Sequence, residues 1–187
     1  MLLEDGKGRG FSAEVDEKQR LSTLAVTVGA ELYSADSGNA YNINTGNITM
    51  SASGTLLYLK NTGDADIVIS TLIVGLGSGT VSDLAEITVI RNPTGGDLIT
   101  DATPVPMNVN RNFGSSNSLS SNVYKGKSGG IVTGGDEGVL FYQGVGGRMV
   151  SAMNLMLTKG TSMAIKLDPK LTSGSIKCYC ALVIYTE

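Results

Sequence analysis

Ser162-Met163-Ala164-Ile165-Lys166-Leu167 decides the fold class. Met163, Ile165 and Leu167 stand at every second position, with a polar or small residue between them. Extended backbone turns successive side chains to opposite faces, so the run predicts a strand with one apolar face inward. The same alternation recurs outward from it. Val105-Pro106-Met107-Asn108-Val109-Asn110 sets Val105, Met107 and Val109 on one face and Pro106, Asn108 and Asn110 on the other. Ala85-Glu86-Ile87-Thr88-Val89 puts Ile87 and Val89 inside, Glu86 and Thr88 outside. Ile67 to Val74 and Ala181 to Tyr185 are more continuously apolar, which fits strands covered on both faces or lying at a subunit contact.

These runs place strands near 41–44, 47–50, 55–60, 66–75, 85–91, 105–110, 138–143, 148–157, 162–167 and 175–185. Turn-forming residues separate them: Asn44-Thr45-Gly46-Asn47, Asn61-Thr62-Gly63-Asp64, Asn92-Pro93-Thr94-Gly95-Gly96 and Thr158-Lys159-Gly160. No 12 residues show a 3.6 period. Ten short strands without covering helices predict an all-β antiparallel sandwich of jelly-roll type. An immunoglobulin-like sandwich fits less well, since that fold needs only ~100 residues and this chain has neither tryptophan nor a disulfide framework.

Two segments depart from the alternation. Residues 1–20 hold five acidic and four basic side chains, and Gly6, Gly8 and Gly10 alternate with Asp5, Lys7 and Arg9. Glycine disfavours helix there. The expected organisation is an extended N-terminal arm with a first strand at Leu21 to Val28, together residues 1–36, then a β-sandwich domain over 37–187. The second departure is 111–137, rich in Ser, Gly and Asn. It is longer than the ~12–15 residues of ordinary unstructured connections, so it is read as a long loop, placed between the fifth and sixth strands (F and G) of a jelly roll.

The 187 residues include 2 Cys, no Trp and no His, with a net charge of −3. Without imidazole there is no histidine triad and no His-ligated metal. The acidic balance argues against nucleic-acid binding through bulk charge. No apolar run approaches the ~20 residues of a membrane span, and charge in Met1 to Lys7 speaks against a cleaved signal. Cys178 and Cys180, two apart on a strand, diverge too far for an unstrained disulfide and read as small buried hydrophobes.

Several motifs read as ordinary structure. Ser121-Asn122-Val123-Tyr124-Lys125-Gly126-Lys127-Ser128 ends like a phosphate-binding loop but lacks its first glycine and a following helix. Gly75-Leu76-Gly77-Ser78-Gly79 reads as a strand end running into a turn. Asp64-Ala65-Asp66 and Asp136-Glu137 lack the acidic density of a calcium loop. Asn47-Ile48-Thr49 matches a glycosylation acceptor without a secretion signal. No catalytic, cofactor or metal residues are expected. A glycan site, if the chain has one, falls on the loop aromatics Phe113 and Tyr124.

Gly8-Arg9-Gly10-Phe11-Ser12-Ala13-Glu14-Val15, followed by Arg20-Leu21-Ser22-Thr23-Leu24-Ala25-Val26-Thr27, resembles the N-terminal arm of tailed-phage virion proteins. Ala40 to Asn44, Leu57 to Asn61, Ile87 to Pro93 and Asn110 to Gly114 resemble the jelly-roll body of phage capsid-decoration (cement) proteins. The resemblance implies a non-enzymatic virion structural protein, assembled in the host cytoplasm, that binds the major capsid protein as a homotrimer. It also implies an arm that orders against the shell or a neighbouring subunit through Leu2, Leu3, Phe11, Val15, Leu21 and Leu24. The alternative is a receptor- or glycan-binding component of a head or tail fibre.

Overall fold

The computed structural model describes residues 3–4, 12–13, 29–100 and 107–187. In chain order the elements are Leu3–Glu4 (β1), Ser12–Ala13 (β2), Ala30–Asp36 (α1), Ala40–Asn44 (β3), Ile48–Met50 (β4), Gly54–Asn61 (β5), Ile67–Leu76 (β6), Thr80–Val81 (β7), Ala85–Arg91 (β8) and Gly95–Gly96 (β9). Then come Asp97–Thr100 (α2), Met107–Asn110 (β10), Ser121–Lys125 (β11), Val132–Thr133 (β12), Asp136–Gln143 (β13), Arg148–Leu157 (β14), Ser162–Asp168 (β15), Leu171–Ser173 (β16) and Ile176–Thr186 (β17).

Two antiparallel sheets carry the molecule. One runs β10-β3-β17-β6-β14, with β4 also on β17; the other runs β11-β5-β15-β8-β13. Their facing sides share one core, centred on Ile43, Leu59, Ile69, Leu72, Ile165 and Leu182, each fully buried. The fold is an all-β antiparallel sandwich, as the alternation predicts. Apart from β10 and β11, eight long strands visit the sheets in an ordered way. Numbered along the chain, β3, β5, β6, β8, β13, β14, β15 and β17 lie as 1-8-3-6 in one sheet and 2-7-4-5 in the other.

The break between β3 and β4 shows how a buried polar residue shapes a strand. Thr45 is buried, and its backbone N–H and its Oγ1 donate to the Cys180 carbonyl at 2.9 and 3.2 Å. Its Oγ1 also accepts from the Cys180 N–H at 2.9 Å. The turn is thus clamped to β17, and β3 and β4 pair with successive stretches of that one strand. A buried hydroxyl satisfied in this way carries little desolvation penalty.

Three expectations need correction. Residues 111–137 are not one loop: β11 pairs with β5 along its length and β12 pairs with β9. The segment lies between the fourth and fifth of the eight strands, because β10 is an added edge strand and not one of the eight. In β10 the inner face is the one that carries Asn110. Asn108 and Asn110 pair with the buried Ile43 and Tyr41, whereas Val109 pairs with the exposed Asn42. Asn110 can face inward because its Nδ2 donates to the Gly38 carbonyl at 2.7 Å. Thr88 does lie on the outward face of β8, paired with Lys166 and Leu140, but it is buried there. Finally, Ala30–Asp36, inside the expected arm, is a helix lying against β3 and β17. The expected first strand, Leu21 to Val28, lies outside the described residues.

Candidate docking surface

Much of the outer face of the five-stranded sheet is covered, although at its β13 edge Leu140 and Tyr142 stay 46% and 59% exposed. Tyr58, Ile90 and Ala164 point away from the main core, yet all are buried, because Leu98 of α2 and Val132 of β12 lie over them. Tyr124 stacks on Tyr58 with ring centroids 5.7 Å apart. The cover is stapled on by the Val132 N–H, which donates to Thr55 Oγ1 at 3.1 Å. It also crosses at Gly126, where a Cβ would stand 1.4 Å from the Thr55 carbonyl oxygen. Only glycine lets the chain pass that close.

No described element lies over the middle of the opposite face. Along β17 the inward residues Ile176, Cys178, Cys180, Leu182 and Ile184 are buried, while Tyr179, Ala181, Val183 and Tyr185 between them are half-exposed. Register extends that row across the sheet. Ala181 pairs with Ile73 and Ile73 with Val150; Tyr185 pairs with Val68 and Val68 with Met156. Val150 and Met156 remain 55% and 53% exposed. Helix α1 sits only at one end of this sheet, with Leu32 and Tyr33 exposed.

Charge is polarised along the same face. At one end stand Arg148 and Lys177, in the rows of Tyr179 and Thr49. Neither makes an ion pair among the described residues. They border a cavity of about 350 Å³ floored by Gly75, Gly77 and Gly147. The Tyr179 ring lies directly over Gly75, where a Cβ would fall 2.0 Å from Cε1. At the other end Asp66 and Glu187 continue the outward rows of Val68 and Tyr185, and their backbones exchange two hydrogen bonds of 3.2 and 3.0 Å. Lys177 in β17 and Glu187, one residue past its end, are ten positions apart, about 33 Å at the usual rise.

The residues singled out in the sequence are dispersed. Phe113 is 90% exposed in the bend after β10. Tyr124 belongs to the covered face of the other sheet, so the two aromatics do not form one site. A polar cleft of about 450 Å³ lies between Asn39, Asp64 and Ser116–Ser120 and is lined by neither ring. Around it the 111–120 segment is ordered by asparagines. Asn112 Nδ2 donates to the Asp36 carbonyl at 3.0 Å, Asn117 Nδ2 to the Ser37 carbonyl at 3.3 Å, and Arg111 pairs with Glu31. Leu2, Phe11, Val15, Leu21 and Leu24 lie outside the described residues. Leu3 is in β1, whose backbone pairs with β2.

One member of each acidic run is in an ion pair, Asp64 with Lys159 at 2.5 Å and Asp136 with Arg91 at 2.9 Å. Among the described residues no group of three acidic, His or Cys side chains is placed to hold a metal, and no helix is long and apolar enough to cross a membrane. Both thiols are buried. Burial pushes Cys178 up to about 12 and Cys180 higher still, with a further push from Cys178, so both stay protonated and unreactive at neutral pH.

Sequence reasoning recognised half of the uncovered face. The unbroken apolar run Ala181 to Tyr185 marks β17 as covered twice or at a contact, and among the described residues its outer side chains are half-exposed. Arg148, Lys177, Asp66 and Glu187 gave no local signal, because only the register brings them onto one surface. Compared with known protein families, curated proteins and solved structures, the chain finds no match.

Proposed function

We propose that this is a non-enzymatic virion structural protein of the capsid-decoration type, binding and stabilising a phage capsid shell as a homo-oligomer. The observation that carries the reading is the uncovered face of the six-stranded sheet. It is apolar at its centre and charged at its ends, like a surface that meets another protein. A jelly-roll body is part of the proposal. The strand orders 1-8-3-6 and 2-7-4-5 support it, as the eight strands of a jelly roll are divided between two such sheets. The resemblance of the glycine-punctuated segment 8–15 and of Arg20 to Thr27 to phage arms supports a docking role for residues 1–20. Repeated weak contacts within an oligomer then add up to firm attachment.

Co-sedimentation with capsids assembled without this protein tests the reading. The full chain is expected to pellet with them. A chain lacking residues 1–20 is expected to keep its β-sheet circular dichroism and stay in the supernatant. Equal capsid occupancy by both contradicts the docking role, and no binding by either contradicts the capsid reading.

A second reading, a glycan-binding fibre component, draws on Phe113, whose ring is 90% exposed. It predicts glycan-array binding that Phe113→Ala abolishes.

A further inference from the structure

We propose that the outer face of the six-stranded sheet is a two-fold contact surface for a second copy of this chain, with the basic end of each copy set against the acidic end of the other. This goes beyond the capsid reading and does not depend on it.

The apolar centre supplies the drive. Ile73, Val150, Ala181, Val183, Tyr185 and Met156 lie in register on three adjacent strands, all partly open to water. Antiparallel sheets commonly leave one face in water, but such a face alternates to polar residues. Here most alternate positions on β6, β14 and β17 are apolar, with Thr71 among them and Asn42 and Asn44 beside them on β3, so the centre of the face asks for a cover. Two sheets packed through such faces lie about 10 Å apart with their strands nearly aligned.

Charge selects the occupant and its orientation. Arg148 and Lys177 flank an open, glycine-floored cavity at one end; Asp66 and Glu187 stand at the other. A two-fold axis along the strands would set the basic ends against each other and the acidic ends likewise. A two-fold axis in the sheet plane, perpendicular to the strands, sets Arg148 and Lys177 of each copy against Asp66 and Glu187 of the other. Both charge contacts are then made twice, as an isologous interface requires. The cavity beside Tyr179 gives the incoming carboxylates room to enter between the two cations. This contact gives assemblies of even order. It coexists with a trimer only as six copies, two trimers joined back to back.

Charge reversal with rescue tests the proposal by sedimentation velocity at micromolar concentration. The full chain is expected to form a dimer, or a six-copy particle, that weakens as salt is raised from 0.1 to 0.5 M. Arg148→Glu with Lys177→Glu makes both ends acidic, and Asp66→Lys with Glu187→Lys makes both ends basic. Each double variant alone is expected to lose self-association by about 100-fold in Kd, and an equimolar mixture of the two to recover it. All four positions are on the surface, and circular dichroism checks that each variant is folded.

Undiminished association of both variants overturns the proposal, as does a mixture that fails to recover. A monomeric full chain that dimerises once residues 1–28 are deleted also overturns it, assigning the face to the chain's own amino-terminal segment. A dimer that binds no capsid leaves this inference standing and removes the capsid reading, whereas a capsid-binding monomer does the reverse.

Discussion

The two outer faces of this sandwich solve the same problem differently. Over the five-stranded sheet, α2 and the segment around Val132 bury Tyr58, Ile90 and Ala164 within the chain. Over the six-stranded sheet, Ile73, Val150, Ala181 and Val183 are left half in water. Strands of both sheets carry apolar residues on both faces, so composition does not separate them. The difference is where the cover comes from: local chain in one case, and in the account proposed here a second copy in the other. Burial within the chain contributes to monomer stability, whereas burial between copies contributes to assembly.

Disrupting the covered face gives the largest expected effect. Leu98 is 2% exposed at the centre of the cover. Leu98→Asp leaves an unpaired carboxylate over Tyr58 and Ile90, with an expected loss of about 4 kcal/mol in urea unfolding. A loss below about 1 kcal/mol would mean that α2 is not a structural cover. Thr55→Val is milder. It keeps the shape but removes the acceptor of the Val132 N–H, with an expected cost of about 1–2 kcal/mol in the same titration.

The uncovered face should respond in the opposite sense. Val150→Ser removes an apolar side chain that is already 55% exposed, so the monomer should lose no more than about 0.5 kcal/mol. Self-association should weaken by about tenfold, the worth of one buried aliphatic side chain. If Val150→Ser destabilises the monomer as much as Thr55→Val, the contrast between the faces fails.

The smallest effect lies away from both faces. Burial alone would raise Asp168, but hydrogen bonds from the Lys170 ammonium and backbone N–H and from the Ser53 hydroxyl outweigh it and hold the carboxyl below its ordinary 3.8. A group with a depressed folded pKa stabilises the fold above its unfolded value and loses that contribution as pH falls through the folded one. Acid titration of stability should therefore show a small loss below about pH 3.8 that Asp168→Asn removes. An unchanged titration in that variant would place the acid sensitivity elsewhere.

Most of the β architecture was legible because alternation is a local signal. Met163, Ile165 and Leu167 mark β15 from six residues alone. Strand β11 was not legible, since Val123 is its only buried side chain; the others are polar or, like Tyr124, belong to the outer cluster. The β10 alternation was visible but its direction was not, because pattern alone does not show which face is the core. There Asn110 faces inward, its Nδ2 donating to the carbonyls of Asn117 and of Gly38, 72 positions earlier, and its Oδ1 accepting from the Asn112 N–H. Helix α1 has seven residues, too few to show a helical period. The charge polarity of the docking face was illegible for a different reason. Asp66, Arg148, Lys177 and Glu187 are brought onto one surface by pairing between three strands.

That polarity also provides the most direct test. Within one chain Lys177 in β17 and Glu187, one residue past its end, stand about 33 Å apart, beyond the reach of a zero-length cross-link. Carbodiimide coupling of the full chain at micromolar concentration, read by peptide mass spectrometry, should yield Lys177–Glu187 or Lys177–Asp66 isopeptide bonds in the dimer band alone. Absence of both bonds from a dimer that cross-links elsewhere would contradict the antiparallel docking of this face.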